Sequence, residues 1–237
     1  MNRSKSFRFF SGASRAKTSC MNTHARSLAW VRPDSVLLKA AMAVTGLGMA
    51  VWLTLHMLGN LTLFAGPQIM NAYAIKLHDS GILWPLRTLL IVALGVHVVC
   101  AVMTTRRAYA ARPRGYRVRL RGHSSGWAAR SMRVGGVLLL VYLVYHVTRI
   151  YGLGHPSFVP GDVHHNLLAI VRQPVHAVLY LTATALVSLH LAHGLASSWI
   201  TLGLFAPRRE RLVRRSLFAW AALVTLGFAA PVLAPYL

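Results

Sequence analysis

The sequence predicts an all-α integral membrane bundle of five transmembrane helices, with the N-terminus cytoplasmic and the C-terminus external. Three observations lead there. Of 237 residues, 55% are hydrophobic and only 13% charged, where a soluble domain carries about 25%. Five apolar runs, at about 40–63, 84–105, 134–153, 174–204 and 216–236, reach the roughly 20 residues that a spanning helix needs. The positive charge is also one-sided. Of 26 Lys and Arg residues, eight lie in 1–39, nine in 106–133 and five in 208–215. By the positive-inside rule those segments face the cytoplasm.

The same topology accounts for a net charge of +22. In a soluble protein that charge would point to nucleic acid; here it flanks membrane spans, so no nucleic-acid partner is expected. Anionic lipid or an acidic protein is the expected partner of the basic loops. Runs this long without period-two alternation exclude a β-barrel. Arg outnumbers Lys 22 to 4, a bias that suggests a GC-rich bacterial genome and hence a bacterial plasma membrane.

Residues 1–35 read as a basic cytoplasmic tail and 36–237 as the membrane domain. The tail contains Met21, a plausible start of a shorter chain, and lacks a signal-peptide core. In the first run, KAAMAVTGLGMAVWLTLHMLGN carries His56 near its outer end. In the second, ALGVHVVCAV carries His97 shortly before the basic segment that opens at Arg106. The third, ARSMRVGGVLLLVYLVYH, ends on His146 and is shortened by Arg149. The fourth, LYLTATALVSLHLAHGLASSWITLG, carries His190 and, one turn on, His193. The fifth has no histidine. The segments 64–83 and 154–173 read as external loops. Gly46, Gly48, Gly95, Gly135 and Gly136 in the first three spans allow close helix approach or leave room for a flat ligand edge.

Depth sorts the four histidines. At 1.5 Å per residue, His56 lies about 25 Å from the cytoplasmic end and His97 about 13 Å from it. His146 sits in the outer half, three residues before Arg149. His190 precedes Trp199, an interface anchor, by nine residues, a depth like that of His97. One imidazole in a membrane is more often a hydrogen-bonded structural residue than a ligand. Four of them at complementary depths, one per span, form an outer pair and an inner pair. Paired imidazoles from different helices suit the iron of a b-type haem. Zinc is disfavoured because no Cys or carboxylate lies near either pair. Cys20 and Cys100 form no C-x-x-C-H motif, so haem attachment would be non-covalent. Proton relay alone is disfavoured because no Asp or Glu lies within the spans.

Together, in this order, the four quoted span sequences resemble the cytochrome b membrane anchor of succinate dehydrogenase and fumarate reductase, in the single-chain, five-helix, di-haem class. The resemblance covers about residues 36–236. It implies His56 and His146 as axial ligands of an outer haem b, and His97 and His190 as those of an inner one. His193 is then an alternative ligand or a hydrogen-bonding neighbour. It also implies an iron–sulfur subunit and a flavoprotein carrying FAD, docked on the cytoplasmic face. The anchor would pass electrons to a quinone, expected to be menaquinone, and would not itself act on succinate. A higher oligomer of the complex is within the same expectation. Lys39, Trp127, Arg130 and Arg133 are the expected partners of the inner haem's propionates. His78 and Asp79 are the candidates for a quinone site, because this chain lacks the glutamate that some family members carry in the first external loop. Two alternatives stand beside this reading. One is a self-contained transmembrane cytochrome b; the other is a haem-free membrane anchor.

Overall fold

The computed structural model describes residues 33–111, 126–204 and 210–237, and every regular element among them is helical. The elements are α1 (Pro33–Leu61), α2 (Pro67–Asp79), α3 (Leu83–Ala110), α4 (Gly126–Ile150), α5 (Val163–Val171), α6 (Pro174–Thr201) and α7 (Glu210–Leu233). Short 3-10 turns follow α1 (Thr62–Ala65) and α7 (Ala234–Tyr236). From residue 38 onward the chain is one compact unit; of the preceding unit only the first turn of α1 is described. The N-terminal tail up to residue 32 lies outside the described residues, as does half of the basic loop 106–133, residues 112 to 125.

Five helices are long and apolar enough to cross a membrane: Ser35–Ala65, Leu83–Ala110, Arg130–Ile150, Pro174–Thr201 and Glu210–Tyr236. The chain is therefore a multi-pass membrane protein. Most of these helices run past the apolar stretch visible in the sequence. The extra turns hold residues such as Lys39, Arg107 and Arg214, whose long stems can stay on apolar surface while the charge reaches water.

Burial follows the rules of lipid. The inward residues are mostly small: Ala43, Ala50, Ala177, Ala183, Ala192, Ala196 and Ala221 are all buried. Large apolar side chains such as Leu89, Ile91, Val141 and Leu226 face outward. Lipid tails are as apolar as leucine, so helix association rewards close backbone approach and not burial of bulk. The closest backbone packing is α6 on α7, then α4 on α6, while α1 and α3 make only sparse backbone contact with the other spans. Several threonine hydroxyls inside the spans bond back to their own helix, as Thr45 does to the Ala41 carbonyl (2.7 Å) and Thr184 to the Tyr180 carbonyl (2.9 Å). That leaves no polar group of theirs facing hydrocarbon.

One expectation needs correction. Segments 64–83 and 154–173, read as loops, each contain a helix, α2 and α5. Local chemistry makes them. Proline opens α2, where its missing N–H costs nothing, and Lys76 lies in the last turn, where a cation suits the helix dipole. Asp162 caps α5 by accepting from the His165 backbone N–H at 2.9 Å. The two helices are tied together: Asn71 donates to Asp162 at 2.9 Å, and the His164 N–H donates to the Asn71 side-chain oxygen at 3.1 Å. They form a cap over one end of the bundle, called below the cap end. The other is the basic end. At the cap end the Tyr236 hydroxyl donates to the Val171 and Arg172 carbonyls (2.9 and 3.1 Å), satisfying terminal groups of α5.

The cap should depend on pH, with a sign set by Asp162. The His165 N–H, and after it the Asn71 amide, hold the Asp162 carboxyl below its ordinary value of 3.8. A group depressed in the folded state contributes stability above its unfolded pKa and loses it as pH falls through the folded one. Protection of the first-turn amides of α5 against hydrogen exchange should therefore drop as the pH is lowered below about 4. In Asp162→Asn that dependence should disappear.

Candidate functional site

The spans bring the intramembrane histidines together in two pairs. Toward the cap end, His56 of α1 and His146 of α4 have ring centroids 6.0 Å apart at an interplanar angle of 76°. Toward the basic end, His97 of α3 and His190 of α6 are 6.3 Å apart at 59°. Helix geometry gives the separation of the two levels twice over. On α1, His56 lies ten residues from Gly46, whose backbone the His97 ring overlies; on α6, His190 lies ten residues from Tyr180, which touches His146. Ten residues of helix are about 15 Å.

Each ring is held differently. The His97 Nδ1 lies 3.0 Å from the Met42 carbonyl oxygen, and the Thr45 hydroxyl is 3.4 Å away. A carbonyl only accepts, so Nδ1 carries the proton and Nε2 keeps its lone pair. A Cβ at Gly46 would stand 3.1 Å from His97 Cε1, and one at Gly136 would stand 3.6 Å from His190 Cε1. Gly46 lets the His97 imidazole lie against neighbouring backbone, whereas at Gly136 a Cβ would make only ordinary van der Waals contact with His190. Gly48, Gly95 and Gly135 have nothing within 4 Å of such a Cβ. His193, three residues after His190, turns elsewhere and bonds the Leu189 carbonyl through Nδ1 at 3.0 Å.

His146 sits in an aromatic nest. Tyr142 stacks on it (5.6 Å, 23°), Tyr180 meets it edge-on (5.6 Å, 66°), and the Tyr180 hydroxyl lies 3.3 Å from its Nδ1. Tyr145 turns its hydroxyl to His176 Nδ1 (2.7 Å), and Arg149 donates to His176 Nε2 at 2.6 Å. His56 has Phe228 against its ring at 5.7 Å and the Asn60 amide nitrogen 3.3 Å from its Nε2. That amide also donates to the His56 carbonyl at 3.1 Å, so it keeps a partner if the imidazole nitrogen is taken.

The donor set limits what could bind. Among the described residues, no group of three or more His, Cys, Asp or Glu side chains converges. A metal held by either pair needs its other donors from elsewhere. A porphyrin brings four, whereas tetrahedral zinc needs two more side chains. Two imidazoles bound to one metal through bonds of about 2.0 Å have their centroids about 6 Å apart. Both pairs have that centroid spacing, so the residues present are compatible with a haem. Four buried polar atoms among the described residues also make no hydrogen bond: His190 Nδ1, Thr104 Oγ1, Arg107 Nη1 and Arg149 Nε. In hydrocarbon such an atom costs several kcal/mol unless something satisfies it. One belongs to the basic-end pair itself, two lie on α3 between His97 and the basic end, and one lies a turn beyond His146.

The other expected residues are more scattered. Lys39 and Arg130 are exposed at the basic end. The Arg133 guanidinium lies over the Tyr109 ring at 5.0 Å. The side chain of Trp127 lies outside the described residues. His78 and Asp79 are exposed at the end of α2, beside an open groove of about 340 Å³ lined by Tyr73, Lys76, Leu77 and Ser80. No contact joins them to a histidine pair. Sequence reasoning missed the tyrosines, although YLVYH places two of them within a turn of His146. It also missed Met42, Thr104 and Arg107. Compared with protein-family models, with curated proteins and with solved structures, this chain gives no match.

Proposed function

We propose that the chain is a di-haem cytochrome b that anchors a succinate:quinone oxidoreductase in a bacterial plasma membrane. The observation that carries this is the geometry of the pairs. Four spans each contribute one imidazole, and the four meet two by two at the spacing of a bis-imidazole metal complex, at levels about 15 Å apart. When bound, haem supplies one-electron redox chemistry that the side chains lack.

The chain's own residues then have definite tasks. His97 offers Nε2 because Met42 holds its Nδ1 proton. His190 completes the inner pair and His56 with His146 the outer one. Thr104 and Arg107 join Lys39, Arg130 and Arg133 as partners for carboxylates near the basic end, and Arg149 serves at the cap end; the unsatisfied buried atoms of Thr104, Arg107 and Arg149 support this. The cap of α2 and α5 keeps water from the outer pair. The groove beside Tyr73, with His78 and Asp79 at its rim, is the candidate approach for a quinone. The basic end faces the cytoplasm on the charge rule, and its expected partners are an iron–sulfur subunit and a flavoprotein.

The test is the reduced-minus-oxidised spectrum and the haem content of the purified, folded protein. Two b-type haems per chain are expected. A folded chain with no Soret band would overturn the proposal. Co-purification of a flavoprotein and an iron–sulfur protein with the tagged chain in its host would support the anchor role; two haems without them would leave a self-contained cytochrome b.

A further inference from the structure

We infer that Tyr180 is the positioning residue of His146: its hydroxyl holds the imidazole Nδ1 and so turns Nε2 toward His56. This rests on the haem reading above and assigns part of the haem's redox tuning to a single side chain.

Tyr180 is 6% exposed. It is fixed by a tight cluster in which Ile170, Val171, Ala177 and Val232 surround it. It cannot swing away without opening the junction of α5, α6 and α7. Its hydroxyl lies 3.3 Å from His146 Nδ1. The other two tyrosines of the nest do different work. Tyr142 presents a ring face to the imidazole, at 5.6 Å and 23°, while the Tyr145 hydroxyl is taken by His176. Rotation of the His146 ring about its bond is thus checked by Tyr142 stacking, and the choice between its two nitrogens is made by Tyr180.

The tautomer follows. With Nε2 directed at a metal, Nδ1 bears the proton and donates it to the Tyr180 oxygen. An acceptor on that proton makes the imidazole a more electron-rich ligand, which favours the oxidised metal. In the other pair the same office falls to the Met42 carbonyl on His97, at 3.0 Å. The two sites therefore use different nearest acceptors: a side chain that mutation can remove at His146, and at His97 a backbone carbonyl with the Thr45 hydroxyl further off at 3.4 Å.

The experiment is a redox titration of the full-length protein that follows the two haems separately, in wild type, Tyr180→Phe and Tyr151→Phe. Haem content is counted first. A wild type without haem refutes the underlying reading before any variant is made. Given two haems, Tyr180→Phe should raise the midpoint potential of the His56–His146 haem and leave the other unchanged. Tyr151→Phe, at an exposed tyrosine outside the nest, should leave both at wild-type values. Tyr180→His, which returns a ring acceptor to the same pocket, should bring the raised midpoint back down. The second haem reports folding in the same sample. A Tyr180→Phe chain that keeps that haem and loses only the outer one also supports the inference, since the ligand ring has lost its tether. No shift, a downward shift, equal shifts of both midpoints, or loss of both haems together would overturn it.

Discussion

Alanine at His56 or at His146 should remove the same haem, and alanine at His97 or His190 the other, so that each single variant carries one haem per chain. The prediction comes from the pairing, in which each imidazole faces a partner on a different span. A haem that loses one of two protein ligands keeps only half of its attachment in a site built to be closed from both sides. His193→Ala is the control. Its imidazole bonds the Leu189 carbonyl, and its removal should cost neither haem. The check is pyridine haemochrome content together with the spectra of the four variants. Cross-pairing, with His56→Ala and His97→Ala losing the same haem, would show that the two levels are not independent.

Gly227→Ala should destabilise the protein and release the His56–His146 haem first. A Cβ at Gly227 would fall directly on Met57 Sδ and within 2.6 Å of its Cγ. Met57 is 3% exposed and has little room to move. Overpacking of this kind costs about 1–3 kcal/mol. The strain is local to the site: Met57 adjoins His56 in the chain, and Phe228, next to Gly227, touches the His56 ring. Thermal unfolding in detergent should show a lower midpoint, with haem lost unequally from the two sites. Met57→Ala in the same chain should recover much of the loss, because the two side chains compete for one volume and so must couple.

The spans were legible because membrane chemistry writes them in composition: apolar runs of fixed length, with arginine at one set of ends. The pairing of His56 with His146 and His97 with His190 was legible as depth, since a helix converts residue count into distance. What sequence could not supply was rotation about each helix axis. His190 and His193 are three positions apart, about 300° around the helix, and only the packing of α6 against its neighbours decides which one meets His97. The tyrosines and the Met42 carbonyl were hidden for the same reason, being contacts between helices. The cap was hidden by its shortness. Nine residues of α5 make too short a segment to stand out as a helix, and its helix depends on the Asp162 cap and on Asn71, 91 positions away.

The ten-residue registers on α1 and α6 have an electrical meaning. A level difference of about 15 Å is roughly half of a 30 Å hydrocarbon core. One charge crossing the whole core works against about 2.3 kcal/mol per 100 mV of membrane potential. An electron passing between the two levels would therefore gain or give up about 1 kcal/mol per 100 mV. On the proposed orientation, inward to outward transfer of an electron runs downhill in a field that is negative inside. The spacing of two histidines along a helix would then determine how far the membrane's voltage drives the electron forward.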